Sequence, residues 1–161
     1  SLDSAPASLV IMGEGGPMTI DVDTLRQHSK LFELLDDDGR ESLLGMAEQK
    51  RYERDDVMVK EGDAGESFFV ITAGEVRVLI DDLTGQKEVA RLPKGAFVGE
   101  IGALMGEPRS ATVQAIVDVD VLAFDAAKVN SLLEGYPKIR EAIVKLALKR
   151  SEDNLQQMLD S

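Results

Sequence analysis

The chain has 161 residues, enough for one ordinary domain with appendages, and at 43% apolar and 30% charged it reads as soluble and globular. It has no cysteine, which excludes disulfides, zinc–thiolate sites and thiol catalysis, and its one histidine, His28, has no triad or zinc partners at readable spacing. Acidic residues outnumber basic ones 30 to 18, and a net charge of −12 repels nucleic acid and anionic lipid.

Residues 1–20 are rich in Ser, Ala, Gly and Pro, including Gly13-Glu14-Gly15-Gly16-Pro17, and are expected to form a flexible tail or linker. A phosphate loop would instead follow a strand and enter a helix with a lysine. Residues 22–50 are expected to be helical in two pieces. Leu31, Phe32, Leu34 and Leu35 end the first, and Asp36-Asp37-Asp38-Gly39 breaks it. Asp38 with Glu41 fits a capping box, and Leu43, Leu44, Met46 and Ala47 supply an apolar face. The contiguous acids suit turn and capping chemistry better than a calcium loop, whose ligands are spread over about 12 residues. His28 reads as a solvated residue near a helix end.

From residue 52 to 124 the pattern changes to short strands and turns. Val57–Val59 precedes the turn cluster Glu61-Gly62-Asp63-Ala64-Gly65-Glu66. Phe68–Thr72 is a strand, Ala73-Gly74-Glu75 a tight turn, and Val76, Val78 and Ile80 alternate through a half-buried strand. Asp81–Gly85 turns again; Val89, Ala90 and Leu92, then Val113–Val117 and Val119–Phe124, form further strands. Such spacing predicts an antiparallel β-sandwich or roll. Residues 126–134 and 137–159 return to helical spacing, joined at Gly135-Tyr136-Pro137. The order is helices, roll, helices: an α+β fold, with 21–161 as the domain.

One stretch interrupts the strand pattern, from Phe97 to Val113. Residues 100–105 are expected to form a short helix inside the roll. Gly99 permits close backbone approach, and helix-start amides attract anions. After Gly106 and Pro108, Arg109 enters the next strand beside Ser110. A guanidinium fork, free amides and a hydroxyl suit a phosphate diester. Glu100 cannot favour a phosphate, but its carboxylate can accept from a sugar hydroxyl. On spacing alone, a surface Glu–Arg pair on a connecting loop explains the segment equally well.

The segment resembles the phosphate-binding cassette of cyclic nucleotide-binding domains. The likeness extends over residues 30–155 and includes the Glu61-Gly62-Asp63 and Ala73-Gly74-Glu75 turns, Gly95, Gly99-Glu100 and Pro108-Arg109-Ser110-Ala111. It looks closest to prokaryotic cyclic AMP receptors and bacterial channel domains, which implies a jelly-roll-like β-roll with an internal phosphate-binding helix. The resemblance implies that Arg109 pairs with the cyclic phosphate, aided by Ser110 and the amides of Gly102, Ala103 and Ala111. Glu100 would accept the ribose 2′-hydroxyl, with Gly99 and Ile101 backbone nearby, and Val89, Leu92 and Val98 would line the purine. Gly102 stands where many relatives carry Ala, and Val98 where an aromatic is common. The implied ligand is cAMP. In cGMP-selective relatives a hydroxyl after the Arg often contacts guanine, so Ser110 keeps cGMP open.

On the helix 137–159, Ile139, Ile143 and Leu146 share a face that continues into Arg150, Asn154 and Gln157. Either the helix leaves the core at Arg150, or the face covers the pocket as a lid and Arg150 stacks on the purine. A second stripe, Val144, Leu148, Leu155 and Leu159, suits a homodimer partner or effector domain. The expectation is a sensor that couples cAMP binding to movement of this helix, without catalysis, metal or cofactor. It would serve alone or as the regulatory part of a longer enzyme, channel or transcription factor; intact Glu100 and Arg109 argue against a scaffold that binds nothing. No apolar run nears the roughly 20 residues that cross a bilayer, and no signal peptide is visible, so a cytoplasmic location without membrane insertion or nucleic-acid binding is expected.

Overall fold

The computed structural model describes the backbone of residues 8–13 and 16–160 and the side chains of residues 21–153. Strands β1 (Ser8–Gly13) and β2 (Gly16–Asp21) pair antiparallel as a two-stranded hairpin. This corrects the expected linker. The apolar run Leu9–Met12 has strand propensity, and Gly13 and Gly16, two of the glycines that suggested a linker, are paired at the ends of the two strands.

Three short helices follow: α1 (Val22–His28), α2 (Lys30–Leu34) and α3 (Asp37–Gly45). Each has a side-chain cap, from Asp21, Ser29 and Asp36 respectively. Two expectations change here. The first helical piece is split at Ser29, whose extended backbone ends α1 and begins α2. The α3 cap is Asp36, which accepts from the Gly39 amide at 2.7 Å; Asp38 already lies inside the helix. Three adjacent aspartates can all serve as caps, and the chain enters the helix at the first.

The roll consists of two four-stranded antiparallel sheets. One contains β3 (Glu48–Tyr52), β10 (Val119–Asp125), β5 (Ser67–Ala73) and β8 (Phe97–Val98), in that order. The other contains β4 (Val57–Val59), β9 (Thr112–Ala115), β6 (Val76–Asp82) and β7 (Gly85–Leu92). Helix α4 (Glu100–Leu104) lies between β8 and β9, and α5 (Ala126–Leu133) and α6 (Pro137–Asp160) follow β10. The expected α+β roll with an internal short helix is the observed fold.

Two cores share the first sheet. Phe69, Ile71, Val121 and Ala123 point into the roll with Val76, Val98, Val113 and Val119. Their neighbours Phe68, Val70, Leu122 and Phe124 point outward onto Leu31, Phe32, Leu43, Val129, Leu133 and Ile143 of the helices. This is why Phe68–Ile71 and Val121–Phe124 read as unbroken apolar runs: strands covered on both faces do not alternate. Phe68 and Phe124 stack at 5.0 Å between ring centroids, and Phe32 meets Phe97 at 5.6 Å and Phe124 at 6.3 Å. Removing such a buried ring typically costs about 3–5 kcal/mol. Among the described residues no helix is long and apolar enough to cross a membrane.

Candidate functional site

The segment between β8 and β9 is held from outside by the turn 61–66. Arg109 N–H donates to Asp63 O, and Gly62 N–H donates to Arg109 O, both at 2.8 Å. Ala64 bridges to Pro108, and the Glu61 amide donates to Thr112 Oγ1 at 3.0 Å. The turn cluster therefore fixes the backbone that carries Arg109.

Gly65 makes room for the backbone before Arg109, and Gly99 for its side chain. A Cβ on Gly65 would lie 2.6 Å from Glu107 O and 3.7 Å from Arg109 Cδ; a Cβ on Gly99 would lie 2.7 Å from Arg109 Nη1. Gly99 is also left-handed, with φ 71°, as it turns β8 into α4. The guanidinium donates to Ser67 Oγ at 3.3 Å and lies 5.8 Å from the centre of the Phe69 ring. Among the described residues no carboxylate lies within 4 Å of it. Burial pulls its pKa down while Tyr52 pulls it up, and an arginine remains charged at neutral pH.

Arg109 faces a cavity of about 570 Å³, within the range that holds a small ligand. Val59, Val78, Leu92 and Val113 form its apolar wall; Gly99, Gly102, Ala103, Ser110 and Ala111 line the cassette side with Phe97 and Val98. Ala147, Arg150, Ser151 and Asp153 of α6 close it from the C-terminal side. Ile139 and Ile143 are buried in the helical core and Leu146 packs against it. The face continuing beyond them reaches the cavity at Arg150; Asn154, Gln157, Leu155 and Leu159 lie outside the described side chains. On the second stripe Val144 is half-buried and Leu148 is 60% exposed.

Three expected positions differ. Val89 is 48% exposed and does not line the cavity. Val78 pairs with Ala90 but Leu79 pairs with Glu88, so Val89 is the extra residue of a bulge. Val59, Val78 and Val113 supply the wall instead; alternation in β6 marked Val78 as inward, but nothing local linked it to the cassette. The Ile101 backbone stays in the first turn of α4, as expected, while its side chain packs against the helical core. The Ala103 amide is engaged, donating to Gly99 O at 2.9 Å. With α4 starting at Glu100, the amides that a helix leaves without acceptors are those of Glu100, Ile101 and Gly102.

Glu100 is the third. It is only 8% exposed, is not part of the cavity lining, and accepts a 2.5 Å hydrogen bond from Ser29 Oγ. Burial pushes its carboxyl up to about 7, against smaller downward pulls from Ser29 and the positive charge of Arg150. At the other end of α4, Leu104 O accepts from Asn130 Nδ2 at 3.1 Å and Arg140 Nη1 at 3.4 Å. The cassette helix is thus attached to the N-terminal helices at its start and to α5 and α6 at its end.

A model of the cyclic nucleotide-binding domain matches residues 49–136, from β3 through α5. The chain belongs to the cyclic nucleotide-binding domain family. It is 31% identical over 106 residues to a cAMP-dependent protein kinase regulatory subunit of Candida albicans, covering 65% of this chain and 22% of that protein. It is 36% identical over 94 residues to a cyclic nucleotide-gated potassium channel of Rhizobium etli, covering 58% and 25%. The N-terminal domain of a transcriptional regulator from Streptomyces coelicolor superposes with a TM-score of 0.68 at 27% identity, over 84% of this chain and 95% of that one. The chain spans about a quarter of the length of these curated relatives.

Proposed function

We propose that the cavity binds cAMP and that occupancy changes how α6 packs, making the domain a regulatory module rather than a catalyst. One observation carries this: Arg109 is half-buried at the cavity with no carboxylate partner among the described residues. It would pair with the cyclic phosphate, joined by Ser110 and the free amides at the start of α4. Glu100 does not itself line the cavity but adjoins Gly99, which does, and it would accept the ribose 2′-hydroxyl through the oxygen that Ser29 leaves free. The valine and leucine wall would take the purine, with Arg150 stacking over it from α6.

The cAMP assignment draws support from likeness to the kinase regulatory subunit. The second ligand, cGMP, draws support from Ser110, which is exposed and lines the cavity, available to a purine edge. Ligand contact with Arg150 would favour one packing of α6 and shift its population. Exposed Leu148 is the described anchor for an effector or second copy, and the relatives' greater length fits a part in a longer, cytoplasmic protein. A competition series with cAMP, cGMP and 5′-AMP tests the assignment, with Arg150→Ala alongside. The expected order is cAMP, then cGMP, then 5′-AMP, with weaker cAMP binding in the variant. Equal binding of all three would rule out a site built for the cyclic phosphate.

A further inference from the structure

Ser29 has several separate attachments. Its N–H closes α1 on Leu25 O at 3.0 Å, its carbonyl accepts from Glu33 N at 3.0 Å, and its hydroxyl oxygen accepts from Phe32 N at 3.2 Å. The same hydroxyl donates its proton to Glu100 Oε2, across 71 positions of sequence. It is 2% exposed. Capping α2 requires only an acceptor, so the donated proton is free for another purpose.

That purpose lies with the carboxylate. Glu100 is buried, and where its carboxyl ionises the charge is tolerated because hydrogen bonds replace lost water. A carboxylate offers about four acceptor positions, so a donor on Oε2 leaves room for a second at Oε1. Ser29 holds the side chain by one oxygen, next in sequence to Gly99, the glycine that begins α4 and lines the cavity.

We propose that Ser29 is a positioning residue for the nucleotide site: it fixes Glu100 by one oxygen, leaves the other for the sugar hydroxyl, and ties an occupied site to the α1–α2 junction. The proposal rests on Glu100 being the ribose acceptor. The link works in both directions. A ligand that stabilises this placement of Glu100 also stabilises the Ser29 cap, and an effector that distorts the junction weakens sugar recognition.

The test compares Kd for cAMP and 2′-deoxy-cAMP in the full chain. Wild type should prefer cAMP by about tenfold or more, the scale of one hydrogen bond to a charged group. Ser29→Ala should bring the preference close to one, chiefly by weakening cAMP, while Ser29→Thr retains it. Ser29→Gly is the companion if alanine unfolds the junction, since glycine caps nearly as well as serine but lacks the hydroxyl. Exchange of the Phe32 amide should slow with cAMP and less with the deoxy analogue. A wild-type preference near one overturns the ribose assignment and this proposal with it. A normal wild-type preference that survives Ser29→Ala and Ser29→Gly, or equal weakening of both ligands, overturns the role of Ser29 alone.

Discussion

Gly99 meets two demands that one substitution confounds and a second separates. It lies at φ 71°, and a Cβ there would approach Arg109 Nη1 to 2.7 Å. The left-handed backbone alone should cost Gly99→Ala about 1–2 kcal/mol of stability. The close approach adds little to that, because the obstructing atom ends a flexible side chain. What it removes is the seat of the guanidinium. Gly106 supplies the control: its φ is 70°, and nothing lies within 4 Å of its Cβ. Both variants should therefore lose similar stability in urea, at unchanged m. Only Gly99→Ala should also lose a charge-assisted contact to the ligand, about 1.5–3 kcal/mol, or roughly ten- to a hundredfold in Kd by calorimetric titration with cAMP. Equal affinities in the two variants would refute the placement of Arg109 as the anion contact.

Two further outcomes follow from the same geometry. Glu100 holds its proton more tightly when folded, with a pKa of about 7 against an ordinary 4.5, so its contribution to stability is full below pH 4.5 and is lost as pH rises through 7. At about 1.4 kcal/mol per pH unit this amounts to ~3 kcal/mol, measured as urea stability against pH, and Glu100→Gln should flatten that slope. Preference for cAMP over its 2′-deoxy analogue should rise through the same interval, as the carboxylate ionises; a flat profile in both assays contradicts the assignment. Val78→Ser should weaken cAMP severalfold while Val89→Ser leaves it within about twofold, because only Val78 lines the cavity; the reverse ranking would reject the bulge.

The cassette was legible because its determinants are close in sequence. Gly99-Glu100 and Pro108–Ala111 bracket a helix of five residues, and the cation, glycines and hydroxyl sit within one short segment. Roles that depend on pairing across the fold were not. Val89 is an exception: it lies three residues from Leu92, so alternation alone puts the two on opposite faces of β7 and its exposure could have been read from the sequence. Glu100 announces a carboxylate near the site but not its partner, since Ser29 comes close only when the N-terminal helices dock on the roll. The start of α4 at Glu100 was as expected, yet the Ala103 amide is engaged because its acceptor is the carbonyl of Gly99, the residue before the helix. The N-terminal hairpin was obscured because glycines at its strand ends, Gly13 and Gly16, give the segment the composition of a linker.

The measurement closest to the central claim is calorimetric titration of the intact chain with cAMP, set against Arg109→Ala. Saturable one-site binding is expected, weakened in the variant by about ten- to a hundredfold as the buried phosphate loses its charged partner. No heat from the intact chain would contradict nucleotide binding at this cavity. Undiminished affinity in Arg109→Ala would contradict the mode of binding described for it.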